Sequence, residues 1–330
     1  MKAFDLVQAR TVEEAAGLLP VDPADKGTML LAGGQDLLTE MKEHLAEPDQ
    51  LVNLKGIPGL DAMSWQADGS LVIGAMVTVQ DLEEESRVRE TLTALHEAAV
   101  SVGSPQIRSV GTVGGNLNQR PRCWYFRSEE AHCLKKGGTH CYAAVGKNRY
   151  NAILGGFPSY IVHPSDLATA LVALEAEVTL VSPSGERTMS LADYFTLPRE
   201  GDYQRETVRL PNEVMTSVRV PAPPAGMRST FLKMKERESY DWALSAVALC
   251  LWTDGSKISD ARIVLGGVAP KPWRCASTET LLKGRSPTSE ATANAAGADA
   301  LKDARALSDN GYKIPLTQGL LRRALQKLGA

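Results

Sequence analysis

Three of the five cysteines, Cys123, Cys133 and Cys141, crowd into nineteen residues, while Cys250 and Cys275 stand far from them. Thiolates clustered in this way, among Gly, Lys and Arg, suit metal ligation better than a disulfide framework. Two glycine-rich runs offer another chemistry. In Leu31-Ala32-Gly33-Gly34-Gln35-Asp36-Leu37-Leu38 the two glycines let the backbone approach a phosphate without Cβ interference, and a helix start just beyond would present free N–H groups. The second run, Arg108-Ser109-Val110-Gly111-Thr112-Val113-Gly114-Gly115-Asn116-Leu117, is a backbone-rich surface able to lie against a flat or phosphorylated ligand. Each run alone is satisfied by a plain turn, and neither has the G-x-G-x-x-G spacing of a dinucleotide-binding Rossmann unit. A third element, His163-Pro164-Ser165-Asp166, puts an extended residue and a polar pair ahead of an apolar helix.

The elements that must position these residues follow from pattern. Thr11 is an N-cap for a short helix over 11–18, and 29–32 is a buried strand ending at Gly33-Gly34. Residues 36–43 have helical apolar spacing, and 50–53 form a second strand. From 56 to 220 short strands such as 70–73 and 178–182 alternate with helices over 90–102 and 166–175, an α+β texture. The proline-rich stretch 220–226 is the clearest linker. Beyond it come strands at 229–234 and 257–265, a strand or helix at 242–252, and helices from 288 onward and over 316–328. The expected domains are 1–55, 56–220 and 221–330, with an insertion at 117–162.

The ordered set LLAGGQDLL, RSVGTVGGNLNQ and HPSD, with KMKERESYDWALSAVAL and DNGYKIPL further on, resembles the FAD-binding medium subunit of the xanthine dehydrogenase, carbon monoxide dehydrogenase and 4-hydroxybenzoyl-CoA reductase family of molybdenum hydroxylases. The resemblance runs nearly the full length. It implies a vanillyl-alcohol-oxidase-like (PCMH-type) FAD-binding fold: two α/β subdomains around the cofactor, then a C-terminal domain of a small antiparallel sheet with helices. It also implies that Ala32, Gly33, Gly34, Gln35, Asp36 and Leu37 cradle the FAD pyrophosphate, chiefly through backbone N–H groups. Thr112, Gly114, Gly115 and Asn116 would meet the diphosphate and ribityl chain, and Asp166 and Lys233 the flavin. Gln35 stands where many relatives have Thr or Ser, a departure of small cost if the contact is through backbone.

In relatives without the insertion, the GGN and SD motifs lie only a few residues apart, whereas here Asn116 and Asp166 are fifty apart. The inserted cysteines resemble the loop of the 4-hydroxybenzoyl-CoA reductase FAD subunit and related periplasmic aldehyde oxidoreductases, which carries a 4Fe-4S cluster on four cysteines. Here Ser159 takes the place of the fourth. Four outcomes stay open: a Ser159 alkoxide ligand, His132 or His140 in its stead, a three-iron cluster, or a loop kept without a cluster. Zinc on the three cysteines and His140 is the competing metal reading, although Cys-to-Cys spacings of ten and eight depart from paired C-x-x-C knuckles.

The resemblance further implies a molybdenum-cofactor large subunit, a 2Fe-2S small subunit and a ferredoxin-like carrier as partners, with FAD passing electrons between them. A stand-alone FAD oxidase of this fold and a non-enzymatic flavin-binding protein are the alternatives. No Ser-His-Asp or paired-carboxylate pattern supports acid–base catalysis by the chain itself. A net charge of −3 offers no field for nucleic acid. With no export signal at the start and no apolar run of about 18 residues, no membrane span and a cytoplasmic location are expected. His44 and His96 read as solvated or packed, Cys250 as a buried hydrophobe, Glu83-Glu84-Glu85 as a solvated face, and Trp124-Tyr125-Phe126 as a shield over the cluster.

Overall fold

The computed structural model describes residues 1–198 and 203–330. The first sheet is parallel, in the order β1-β3-β2, from β1 (Asp5–Gln8), β2 (Thr28–Leu31) and β3 (Gln50–Asn53). Parallel neighbours need crossovers, which the helices Val12–Gly17 and Leu37–Lys42 supply. Thr11 caps the first of them, its side chain accepting the Glu14 amide at 3.1 Å.

The second sheet is antiparallel, in the order β4-β5-β8-β6-β7, from β4 (Met63–Trp65), β5 (Leu71–Gly74), β6 (Glu177–Ser182), β7 (Gly185–Ser190) and β8 (Val214–Val220). The third, also antiparallel, runs β12-β11-β10-β9 from β9 (Arg228–Met234), β10 (Ser245–Asp254), β11 (Lys257–Gly266) and β12 (Trp273–Arg274). The architecture is the expected α+β one, with a C-terminal antiparallel sheet backed by helices. Among the described residues no helix is long and apolar enough to cross a membrane.

The segment left open between strand and helix is the strand β10, whose first seven residues are buried. Its period-2 alternation serves two cores. Ala246, Ala248 and Cys250 face the helix Asp166–Ala173 and the second sheet, while Val247, Leu249 and Leu251 pack on the helices Ala276–Leu282, Glu290–Ala300 and Lys313–Gly329. All eight residues of Asp166–Ala173 are buried, because this helix lies between two sheets and has no solvated face. The polar pair of the HPSD motif is therefore fixed at its first turn.

The helix expected over 90–102 is broken at Leu92 into Ser86–Thr91 and Thr93–Val100. The Thr91 and Thr93 hydroxyls donate back to Arg87 O and Arg89 O, the local competition that bends helices, while the Leu92 side chain turns into the core.

Candidate functional site

The two glycine loops pack against each other. A Cβ on Gly33 would lie 2.2 Å from Val110 O, so backbone meets backbone with no room for a methyl group. Gly34 has φ +77°, and a Cβ there would meet Leu38 at 2.9 Å. Among the described residues, no acceptor in the chain takes the amides of Gly33, Gly34, Gln35 or Asp36. The second loop is different. The Gly114 amide donates to Ala75 O at 2.8 Å and that of Gly115 to Thr112 Oγ1 at 3.1 Å, capping the short helix Val113–Leu117. Ala32 lies beside Gly115 across the junction. The first loop therefore offers free donors for an anion, and the second supplies a close-packed wall.

The second loop is tied to HPSD by a 2.5 Å hydrogen bond from Ser165 Oγ to Asn116 Oδ1, and Ser165 also caps the following helix at Ala168 N. Asp166 and Lys233, read above as flavin contacts, are buried and engage each other at 2.6 Å, with Lys233 Nζ also donating to Ser101 O. Burial raises the Asp166 carboxyl above its ordinary value despite Lys233. His163 packs edge-on against Phe195, and burial pushes its ring down to about 4, so it is neutral at physiological pH.

Of these, His163, Ser165 and Asp166 border a cleft of about 310 Å³. One wall comes from the insertion, through Arg122, Cys123, Trp124, Arg149 and Tyr150. A second is His163–Asp166, and the third is the segment from Glu236 to Leu244 with Gly267. Two contacts cross it: the Arg122 guanidinium stacks over Trp242 at 4.4 Å, and Arg149 pairs with Glu236 at 2.8 Å. Of the residues proposed from sequence, Asp166 and Cys123 line this cleft, whereas the two loops lie outside its lining and Lys233 lies behind Asp166.

The insertion is held by charge. Asp36 accepts Arg122 and Arg127 at 2.8 Å each and the Arg120 amide at 2.6 Å. Glu206 pairs with Arg120 at 2.8 Å and Lys135 at 2.7 Å, and Glu40 faces Arg127 at 3.3 Å. Burial, then the nearby Asp36, pushes the Glu40 carboxyl up to about 7. Local sequence does not disclose this network; the arginines of RPRC are its one visible sign. Glu83 departs from the solvated face expected of Glu83–Glu85: it holds the buried Arg108 at 2.6 Å, because Arg108 needs a counter-charge there.

Cys133 is buried, and Cys123 and Cys141 are partly so. Burial raises the Cys133 and Cys141 thiols, but backbone amides oppose it: Lys135 and Lys136 at Cys133, Tyr160 and Ala143 at Cys141. Cys123 accepts from Asn151 Nδ2 at 3.5 Å and lies near enough to both other thiols to influence them electrostatically. Ser159 is buried, its hydroxyl without a hydrogen-bond partner, and it precedes the Tyr160 whose amide reaches Cys141. His132 and His140 are exposed. Among the described residues no three His, Cys, Asp or Glu side chains gather as ligands of one metal ion. Trp124 stacks edge-on against Tyr150 at the cleft, whereas Phe126 is buried beneath Arg120 and Arg127.

Residues 2–223 match the family model for the FAD binding domain in molybdopterin dehydrogenase, and residues 229–328 that for the CO dehydrogenase flavoprotein C-terminal domain. The chain is 36% identical, over all of its length and 99% of the relative's, to the aldehyde oxidoreductase FAD-binding subunit PaoB of Escherichia coli. The chain belongs to the FAD-binding subunits of the molybdenum hydroxylases. It is also 32% identical to the carbon monoxide dehydrogenase medium chain of Hydrogenophaga pseudoflava, over 98% of this chain and 96% of that one. The fold agrees: reconstituted CO dehydrogenase from Oligotropha carboxidovorans matches with a TM-score of 0.77 at 25% identity, covering 99% of this chain and 98% of that one. As a member of this family the chain is a FAD-binding oxidoreductase subunit.

Proposed function

We propose that the chain is the electron-transfer subunit of a heteromeric molybdenum hydroxylase. It would work with a molybdenum-cofactor large subunit and a 2Fe-2S small subunit, and pass electrons to or from a ferredoxin-like carrier. The free amides of Gly33 to Asp36 suit the FAD diphosphate, with Ala32 and Leu37 completing the loop. Thr112, Gly114, Gly115 and Asn116 shape the wall beside it, and the cleft next to Asp166 suits the flavin ring. Bound FAD supplies two-electron chemistry with the option of single-electron steps. The chain's part would be to hold the ring in the cleft that Trp124, Tyr150 and Trp242 line, limit water and keep the nearby His163 neutral.

We further propose that Cys123, Cys133, Cys141 and Ser159 hold an iron–sulfur cluster of the 4Fe-4S kind. The donor set fits. Amides aimed at two thiols, Lys136 near Cys133 and an unpartnered buried hydroxyl at Ser159 are what a charged cluster needs from its surroundings. Thiolates around a cubane stand farther apart than around a single ion, so a cysteine set that does not gather on one ion among the described residues is compatible with a cluster. The observation that carries this reading is Cys123, which both belongs to the cysteine set and lines the cleft.

Anaerobic purification with iron and sulfide analysis and an electron paramagnetic resonance spectrum of the reduced protein tests it, and zinc without iron would overturn it. Ser159→Ala separates ligand from bystander. Loss of iron marks Ser159 as a ligand, whereas full iron with a gain of about 1 kcal/mol in stability marks it as a buried unpaired hydroxyl. Co-purification of a molybdenum-containing chain tests the assembly.

A further inference from the structure

Lys313, in the sequence Asp309-Asn310-Gly311-Tyr312-Lys313, is wholly buried at the start of the helix Lys313–Gly329. A cation there is doubly disfavoured, by desolvation and by the positive end of the helix dipole. Its Nζ donates to two carbonyls, Tyr150 O at 2.9 Å and Gly267 O at 2.7 Å. Both residues line the cleft, Tyr150 from the insertion and Gly267 from the end of β11. The neighbouring residues of the segment hold the same stretch of the insertion with neutral groups or at its edge. Asn310 donates to Asn151 O and Ala152 O, the Tyr312 hydroxyl to Arg149 O, and Asp309 accepts the Asn148 amide. Anchoring alone therefore does not call for a charge at 313.

The ionisable groups on the surrounding segments are committed elsewhere. Arg149 pairs with Glu236, Asp309 takes Asn148, and the Tyr312 phenol, raised to about 12 by burial, stays neutral. Among the described residues no acid acts on Lys313, and burial pushes its ammonium down to about 7. A charge there is costly, has no counter-anion among the described residues and lies directly behind the cleft wall.

We propose that Lys313 is a positioning residue for the flavin that, through the Tyr150 and Gly267 carbonyls, places a positive charge behind the cleft and so favours reduced, anionic FAD over the oxidised form. Oxidised FAD takes up two electrons and one proton to give the FADH⁻ anion, and a nearby cation stabilises the added negative charge. In the assembled enzyme the electrons come from the molybdenum and 2Fe-2S subunits; in the test they come from dithionite. The inference rests on the reading that the flavin ring occupies this cleft.

The test measures the flavin midpoint potential of the FAD-loaded chain at pH 6 and pH 9 for the unmutated protein, Lys313→Gln and Lys313→Arg. Gln keeps donors for the two carbonyls without charge, and Arg keeps the charge at both pH values. At pH 6, Lys313→Gln should lower the relative affinity for reduced flavin about tenfold, about 30 mV for a two-electron couple. At pH 9 it should match the unmutated chain, with Lys313→Arg above both. Equal potentials throughout, or one shift independent of pH, would overturn the proposal and leave Lys313 a structural anchor.

A second readout needs no flavin. The folded lysine gives up its proton near pH 7 and the unfolded one near its ordinary 10.5, so between these the unfolded chain binds a proton that the folded chain does not. Apo-protein stability should therefore rise with pH across that window and lose the rise in Lys313→Gln. If Trp242→Ala and Tyr150→Ala both leave the flavin absorption spectrum and its quenching by iodide unchanged, the cleft reading itself has failed, a result separate from any outcome at Lys313.

Discussion

The glycine cradle and the cysteine insertion meet at Asp36 yet are built from opposite materials. On the cradle side the critical contacts are between backbones: Gly33 against Val110 O, Gly114 against Ala75 O, and amides at Gly33 to Asp36 that no side chain occupies. On the insertion side they are between charged side chains, with Asp36, Glu40 and Glu206 facing Arg120, Arg122, Arg127 and Lys135. A site of the first kind should tolerate a change of side-chain chemistry but not of volume. The second kind should tolerate volume changes better than loss of a charged partner such as Asp36, since a mostly buried arginine left unpaired is poorly solvated.

The sharpest way to break this comparison is Asp36→Ala. Removing one carboxylate leaves Arg122 without its ion pair and Arg127 with Glu40 alone, and a loss of about 1–3 kcal/mol is expected by denaturant unfolding, with faster proteolysis between residues 120 and 150. A cost below about 1 kcal/mol would show that the network is ornamental. Gly33→Ala comes next: the added methyl meets a carbonyl that cannot rotate away, so about 1–3 kcal/mol of strain should appear as a loss of FAD affinity of roughly tenfold or more, read by flavin fluorescence titration.

Glu40 sharpens the electrostatic side. Its carboxyl is raised to about 7, so between pH 4.5 and 7 the folded chain keeps a proton that the unfolded chain has lost. The contribution is complete below that window and lost as pH climbs through 7. Glu40→Gln should leave the melting temperature unchanged at pH 4 and raise it at pH 8. The smallest effect is expected of Gln35→Ser, which exchanges a side chain where the backbone serves the ligand; FAD affinity should stay within about 0.5 kcal/mol, and a larger change would show that the Gln35 amide takes part.

The two regions also differ in how far they could be read in advance. The Thr11 cap, the strand before Gly33-Gly34, the Ser165 cap and the apolar helix after it follow from local propensity, and structure and sequence agree there. The break at Leu92 and the choice of strand for β10 do not, because each depends on which face a neighbour covers. Asp36 is the clearest case. Its place in LLAGGQDLL marks it as part of a phosphate loop, yet its carboxylate is taken by arginines eighty or more residues away.

By itself the sequence determined the motif order, the helix starts, the positions where only glycine fits and the family those motifs mark. All of these depend on residue type and short spacing, which backbone sterics and capping translate directly into structure. Tertiary structure alone decided that Cys123 would border the cleft, that Ser159 would be buried without a partner, that Asp166 and Lys233 would engage each other and that Lys313 would sit uncompensated behind Tyr150 and Gly267. Burial and charge partnership are properties of what the rest of the chain brings alongside, and that is settled only when distant segments pack.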